Sequence, residues 1–363
     1  MSVSDHRTVT AIGARRALLK CFAKKRPAFL WGPPGIGKSE VVAEITKELG
    51  GFMIDLRLGQ MEPTDIRGIP FYNKDLGKMD WAAPIDLPDE ELASQYPLVV
   101  LFLDELNSAP GSVQAAAYQL ILNRQIGKYH LPDNVVVVAA GNRESDKGVT
   151  YRMPTPLANR FVHIEMRADY QAWHDWAINN NIHPDVVGYI SFAKQDLNDF
   201  DSKSSSRAFA TPRTWTFVSE LLEDNDTDAT TMTDLIAGTV GEGLAVKFMA
   251  HRKISSQLPK TEDILSGKVT DLKIKEVSAM YSLVTSLCYD LKAAVENKVS
   301  DQQFHEMADN FFAYMMKNFE TELVVMGART ALTTFDLPIT ANKLKNFDSF
   351  HQKYGKFILA SVS

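Results

Sequence analysis

Gly32-Pro33-Pro34-Gly35-Ile36-Gly37-Lys38-Ser39 combines residue types and spacing suited to one chemical task. The octet satisfies G-x-x-x-x-G-K-[ST], with an apolar run before it and a helix-like stretch after it. Glycines let such a loop wrap so that its N–H groups point inward at phosphate oxygens. The following helix adds the positive end of its dipole. Lys38 is expected to reach the β- and γ-phosphates and Ser39 to ligate Mg²⁺, with Glu40 completing the nucleotide-contacting segment 32–40. Two more groups close apolar runs. Asp104 and Glu105 end "VVLFLDE", where Asp104 is expected to hold the Mg²⁺ shell and Glu105 to activate the attacking water. Asn142 ends "VVVVAAGN" and is expected to orient that water and sense the γ-phosphate.

The elements that must hold these groups lie in the same stretches. "AFLW" (28–31), "LVVLFLDE" (98–105) and "VVVVAAGN" (135–142) are apolar without alternation, which suits strands covered on both faces. "FMIDLRL" (52–58) and "FVHIEM" (161–166) are weaker strand candidates. "KSEVVAEITKEL" (38–49) and "SVQAAAYQLILNRQI" (112–126) have helical patterning. Alternation of the two kinds predicts an α/β fold with a parallel sheet, whose ligands gather at the C-terminal strand edge. Beyond residue 167 the β signal fades. "DYQAWHDWAINN", "TWTFVSELLE" and "LIAGTVGEGLAVKFMAHRKI" read as helices, with polar stretches at 196–207 and 223–231 between them. Ile274, Val277, Tyr281, Val284, Cys288 and Leu291, then Phe304, Met307, Phe311 and Met315, mark helical core stripes.

Composition narrows the class. Of 363 residues 45% are hydrophobic and 23% charged, ordinary values for a globular chain. A net charge of −6 argues against a general nucleic-acid or anionic-membrane binder. Cys21 and Cys288 are the two cysteines, so no disulfide framework is implied and a reducing cytoplasm is expected. The N-terminus has no apolar block of signal-peptide type, and no run of about 18 apolar residues predicts a membrane span. The eight histidines show no metal-ligand spacing. His163, in an apolar strand, is expected to be a satisfied core or strand-edge residue. "KCFAKKRP" (20–27) is expected to be solvated surface.

Together these motifs resemble the AAA+ ATPases, and within them the MoxR-type branch. The likeness covers roughly residues 10 to 225. It rests on the phosphate loop, "LFLDELNSAP" (101–110), "AAGNRESD" (139–146), "PLANRF" (156–161) and "TPRTW" (211–215), in that order. "DLRLGQMEPTDIRGIP" (55–70) resembles the segment before an inserted β-hairpin. "NRQIGKYHLPDNVVVVAAGN" resembles the hairpin leading to the sensor-1 strand. The resemblance implies an AAA+ P-loop core over 1–166, a helical lid over 167–260 and a helical C-terminal extension over 261–363, the last matching no family element. It implies ATP and Mg²⁺ as ligands. Arg160 would be the arginine finger acting on the neighbouring subunit, and Arg213 the sensor-2 arginine. A ring, taken as a hexamer, follows from a finger acting in trans. The implied function is chaperone-like remodelling of a protein client, with a von Willebrand factor A domain protein as partner. Related rings translocate DNA, and that alternative predicts a basic pore from Lys74, Lys78, Arg124 and Lys128, diluted by Asp75 and Asp80.

Overall fold

Five apolar runs become strands of one sheet in a computed structural model, which describes residues 7–146, 151, 153–223, 227–274 and 276–360. Residues 1–6 of the N-terminal stretch and 224–226 of the polar stretch 223–231 lie outside the described residues. The chain divides into two compact units, residues 1–169 with 200–204, and residues 170–199 with 205–363.

The first unit holds strands β1 (Thr8–Val9), β2 (Ala28–Trp31), β3 (Phe52–Arg57), β4 (Ile69–Asn73), β5 (Lys78–Ala82), β6 (Val99–Asp104), β7 (Gln125–Ile126), β8 (Tyr129–His130), β9 (Val135–Gly141) and β10 (Val162–Met166). Its helices are α1 (Ala11–Ala23), α2 (Lys38–Glu48), α3 (Pro63–Arg67), α4 (Glu90–Ser94), α5 (Gly111–Asn123) and α6 (Thr155–Ala158). Six strands form a parallel sheet in the order β1-β10-β2-β9-β6-β3. Continuous apolar runs mark its centre because both faces are covered. Leu101, Leu103, Val135 and Val137 point to the core under α5. Val100, Phe102, Val136 and Val138 point to the core shared with α1 and α2. Trp31 lies opposite Gly141, and Arg57 opposite Asp104, so the segments that follow β2, β6 and β9 leave from one edge. Two antiparallel hairpins, β4–β5 and β7–β8, stand apart from the sheet, as the resemblance leads one to expect.

The second unit is helical: α7 (Tyr170–Asn179), α8 (Pro184–Phe192), α9 (Pro212–Leu221), α10 (Ala229–Val240), α11 (Glu242–Ser255), α12 (Thr261–Leu265), α13 (Val277–Glu296), α14 (Asp301–Asn318), α15 (Thr321–Arg329) and α16 (Phe347–Ala360). The helical run expected over 235–254 breaks at Gly241, whose φ of 93° ends α10 and lets α11 start in a new direction. Ile274 precedes α13 rather than lying on it. α8 and α13 pack closely, since a Cβ on Gly188 would sit 2.2 Å from Ser282 Oγ. Among the described residues no helix is long and apolar enough to cross a membrane.

Candidate nucleotide site

The phosphate loop is built by two constraints on its glycines. Gly32 has φ 152°, and a Cβ there would meet the Met166 carbonyl at 2.8 Å, so only glycine lets the chain leave β2 beside β10. Gly37 has φ 88° and stands at the N-cap of α2 in the left-handed region that favours glycine. No side chain caps the first turn of α2, so its N–H groups are not committed to a protein oxygen of that kind. Ile36 and Val42 anchor the loop and helix in the core shared with Phe102. This cradle and helix start fit a triphosphate.

Lys38, half-buried at the start of α2, donates from Nζ to the carbonyls of Gly32 at 2.7 Å and Pro33 at 3.0 Å. The same Nζ donates to Asn142 Oδ1 at 3.1 Å. The ammonium therefore joins the loop to the end of β9, and the two residues expected to share a γ-phosphate meet. Ser39 follows in the first turn of α2, half-buried.

Asp104 closes β6, and its Oδ1 accepts the Glu105 N–H at 2.9 Å. Glu105 has φ 56°, rare for a residue with a side chain. That turn carries its carboxylate away from the strand line and over Gly59, where a Cβ would lie 2.7 Å from Oε2. Asp55, on the neighbouring strand, has its carboxyl pushed above the usual range by desolvation first and by the Asp104 charge second, with Arg57 opposing. Asp104 and Glu105 bring two carboxylates to this edge, where a divalent cation would be favoured. Asp104 and the Ser39 hydroxyl are oxygen donors of the kind Mg²⁺ takes.

Arg160 lies elsewhere. It is exposed just before β10, at the N-terminal edge of the sheet, where the Val162 N–H donates to the Pro27 carbonyl at 2.9 Å. The strand edge bearing Lys38, Asp104 and Asn142 is the opposite one, so Arg160 does not join the site of its own chain. Arg213 is exposed in the first turn of α9, behind a capping box of Thr211 and Thr214 in the helical unit. His163 is exposed on β10 with both ring nitrogens engaged: Nδ1 accepts from Trp31 Nε1 at 2.9 Å, and Nε2 lies 2.8 Å from the Ala158 carbonyl.

Two residues without an expected role stand beside the expected ones. Asn107, 2% exposed, donates from Nδ2 to the Asn142 carbonyl at 2.7 Å. Arg143 forms an ion pair with Glu165 and donates to the Met166 carbonyl at 3.3 Å, tying the end of β9 to β10. Their only sequence signal is proximity, Asn107 two residues past Glu105 and Arg143 directly after Asn142.

Residues 28–167 match the family described as ATPase family associated with various cellular activities (AAA). No curated protein matches the chain. Among solved structures, the RuvB Holliday junction branch migration motor of Thermotoga maritima is 15% identical, covering 85% of this chain and 86% of that one at a TM-score of 0.35. NtrX of Brucella abortus is 13% identical, covering 97% and 69% at a TM-score of 0.35. Hsp104 in a closed state with ATPγS and casein is 17% identical, covering 67% and 46% at a TM-score of 0.37. The family match spans β2 through β10 and contains the phosphate loop, Asp104-Glu105 and Asn142, and these residues have an AAA+ P-loop fold.

Proposed function

We propose that the protein is a MoxR-type ATPase that works as a ring, taken as a hexamer, and remodels a protein client, with a von Willebrand factor A domain protein as the partner class. ATP with Mg²⁺, when bound, supplies the anhydride whose hydrolysis drives the cycle. Lys38 and the N–H groups of the 32–40 loop hold the phosphates, and Ser39 and Asp104 hold the cation shell. Glu105 takes the proton of the attacking water, and Asn142 orients that water. Arg160 serves the neighbouring subunit, which agrees with its place at the sheet edge remote from its own loop. Arg213 reads the γ-phosphate from a lid over 167–260, on whose helices those of 261–363 pack.

One observation favours a protein client over DNA. The β4–β5 hairpin exposes Ile69, Phe71, Tyr72 and Met79 at 64%, 43%, 60% and 63%, an apolar surface unsuited to a phosphate backbone. Of the four cations a DNA-facing pore would use, Lys128 pairs with Asp80 at 2.6 Å and Arg124 donates to the Pro132 carbonyl at 2.6 Å. Affinity for nucleic acid needs uncompensated Lys and Arg, and here half of the set is engaged.

The test uses tagged Glu105→Gln, which should bind nucleotide and hydrolyse it slowly, in the presence of ATP and Mg²⁺. A specific protein should co-purify, and should be lost with Lys38→Ala and with the hairpin variant Tyr72→Ser/Met79→Ser. Recovery of nucleic acid alone, with ATPase stimulated by DNA, would overturn the protein-client reading.

A further inference from the structure

The carboxamide of Asn107 is buried beside Asn142, and it has no part in the roles assigned to the phosphate loop and the acidic pair. It sits in the short turn after β6, 2% exposed. Its Nδ2–H donates to the Asn142 carbonyl at 2.7 Å, and its main-chain carbonyl accepts the Tyr151 N–H at 2.7 Å. The amide orientation follows from chemistry, because the flipped form would set two carbonyl oxygens against each other. Its Oδ1, without a hydrogen-bond partner among the described residues, rests on Gly141. A Cβ at position 141 would lie 2.0 Å from that oxygen. Glycine before Asn142 is therefore what admits the Asn107 side chain.

Asn142 is held from both ends. Its backbone carbonyl takes the bond from Asn107, and its side-chain Oδ1 takes the bond from Lys38 Nζ at 3.1 Å. We infer that Asn107 is a positioning residue for hydrolysis: it fixes the main chain of Asn142, and so aims the Asn142 carboxamide, from the turn that also carries Glu105. The general base and the water-orienting amide are then set by one buried bond rather than by two independent loops. A buried bond of this kind has leverage because its loss leaves a desolvated carbonyl unpaired and lets the strand end move. The inference rests on the reading of Asn142 as the water-orienting group.

Steady-state ATPase and nucleotide affinity, measured on Asn107→Ala, Asn142→Ala and the double variant of the full chain, test it. Asn107→Ala should lower kcat about tenfold, the effect of one lost buried bond, while nucleotide affinity stays within about twofold. The double variant should be no slower than Asn142→Ala, because both changes remove one path. Asn107→Asp keeps the shape but cannot donate while ionised. Its kcat, relative to the parent, should recover as the pH falls and the carboxyl regains a proton.

Three results overturn the inference: kcat of Asn107→Ala within about twofold of the parent, losses that multiply in the double variant, or an Asn107→Asp pH profile parallel to the parent's. Should Asn107→Ala fail to fold, the near-isosteric Asn107→Asp profile decides alone. If Asn142→Ala hydrolyses ATP at the parent rate, the reading of Asn142 itself falls and takes this inference with it. That outcome differs from one in which Asn142→Ala is impaired and Asn107→Ala is not.

Discussion

The two units place their polar groups differently. In the α/β unit, apolar strands end abruptly in Asp104, Glu105 and Asn142, which stand half-buried at one edge. In the helical unit, several buried polar groups are engaged with one another inside the core. Tyr189 OH donates to Asp196 at 2.6 Å, Trp215 Nε1 donates to the Asp196 carbonyl at 2.9 Å, and His251 Nε2 meets Ser282 Oγ at 2.9 Å. Arg329 reaches Asp175 at 2.8 Å. Groups at a strand edge keep capacity for a ligand, whereas groups spent on neighbouring helices hold packing together. Substitutions in the first set should change chemistry at constant stability, and those in the second should do the reverse.

The largest effect expected from breaking this contrast is at Arg160, which is exposed and so contributes little to folding. Arg160→Ala should lower the ATPase rate on the order of 10³–10⁵-fold, the scale of a finger in phosphoryl transfer, with unchanged thermal unfolding of the nucleotide-free protein. Mixing Arg160→Ala with Glu105→Gln subunits should restore part of the rate, since some interfaces would pair an intact base with an intact finger. A mixture no faster than its parts would remove the trans role.

A smaller effect compares the two cores. Phe102 and Phe311 are each fully buried, and replacing either by alanine should cost about 3–5 kcal/mol. Phe102 shares its core with Ile36, Val41 and Val42, so Phe102→Ala should also weaken nucleotide binding. Phe311 belongs to the core of α13, α14 and α15, and Phe311→Ala should leave nucleotide affinity near that of the parent. Denaturant unfolding and nucleotide titration of both variants provide the check. Equal losses of affinity would erase the distinction between the units.

The same contrast explains what could be read beforehand. β2 spans its apolar run, β9 begins with its own, and β6 lies one residue inside each end of 98–105, because a strand covered on both faces leaves an uninterrupted signal. The phosphate loop was legible because its glycines serve geometry that no other residue supplies. The β4–β5 and β7–β8 hairpins came only through family resemblance, since their exposed residues carry no burial pattern. Asn107 was illegible as a partner of Asn142, because a bond between residues 35 apart leaves no local period. Gly188 against Ser282 is likewise a long-range fit that neither helix's own stripe encodes. The break at Gly241 lay in plain sight, but the apolar stripe ran on through it and only the backbone angle shows the turn.

The smallest effect concerns pH, and it should arise in the helical unit. Burial holds the His251 imidazole below its ordinary pKa, against the opposing charges of Asp185 and Glu276. In the unfolded chain the ring takes up a proton near pH 6.5, while the folded protein resists protonation until a lower pH. Between those two values the unfolded state binds more protons, so stability rises with pH. Above the unfolded value the contribution is constant, and it is lost as the pH falls through the folded value. Denaturant unfolding at pH 7.5 and 5.5 should therefore show a less stable protein at the acid end, and His251→Gln should flatten the slope. His183, also held low by burial, should keep some acid dependence in that variant. A slope unchanged by His251→Gln would mean that the buried imidazole is not what couples helical packing to protons, and would move the search to His183.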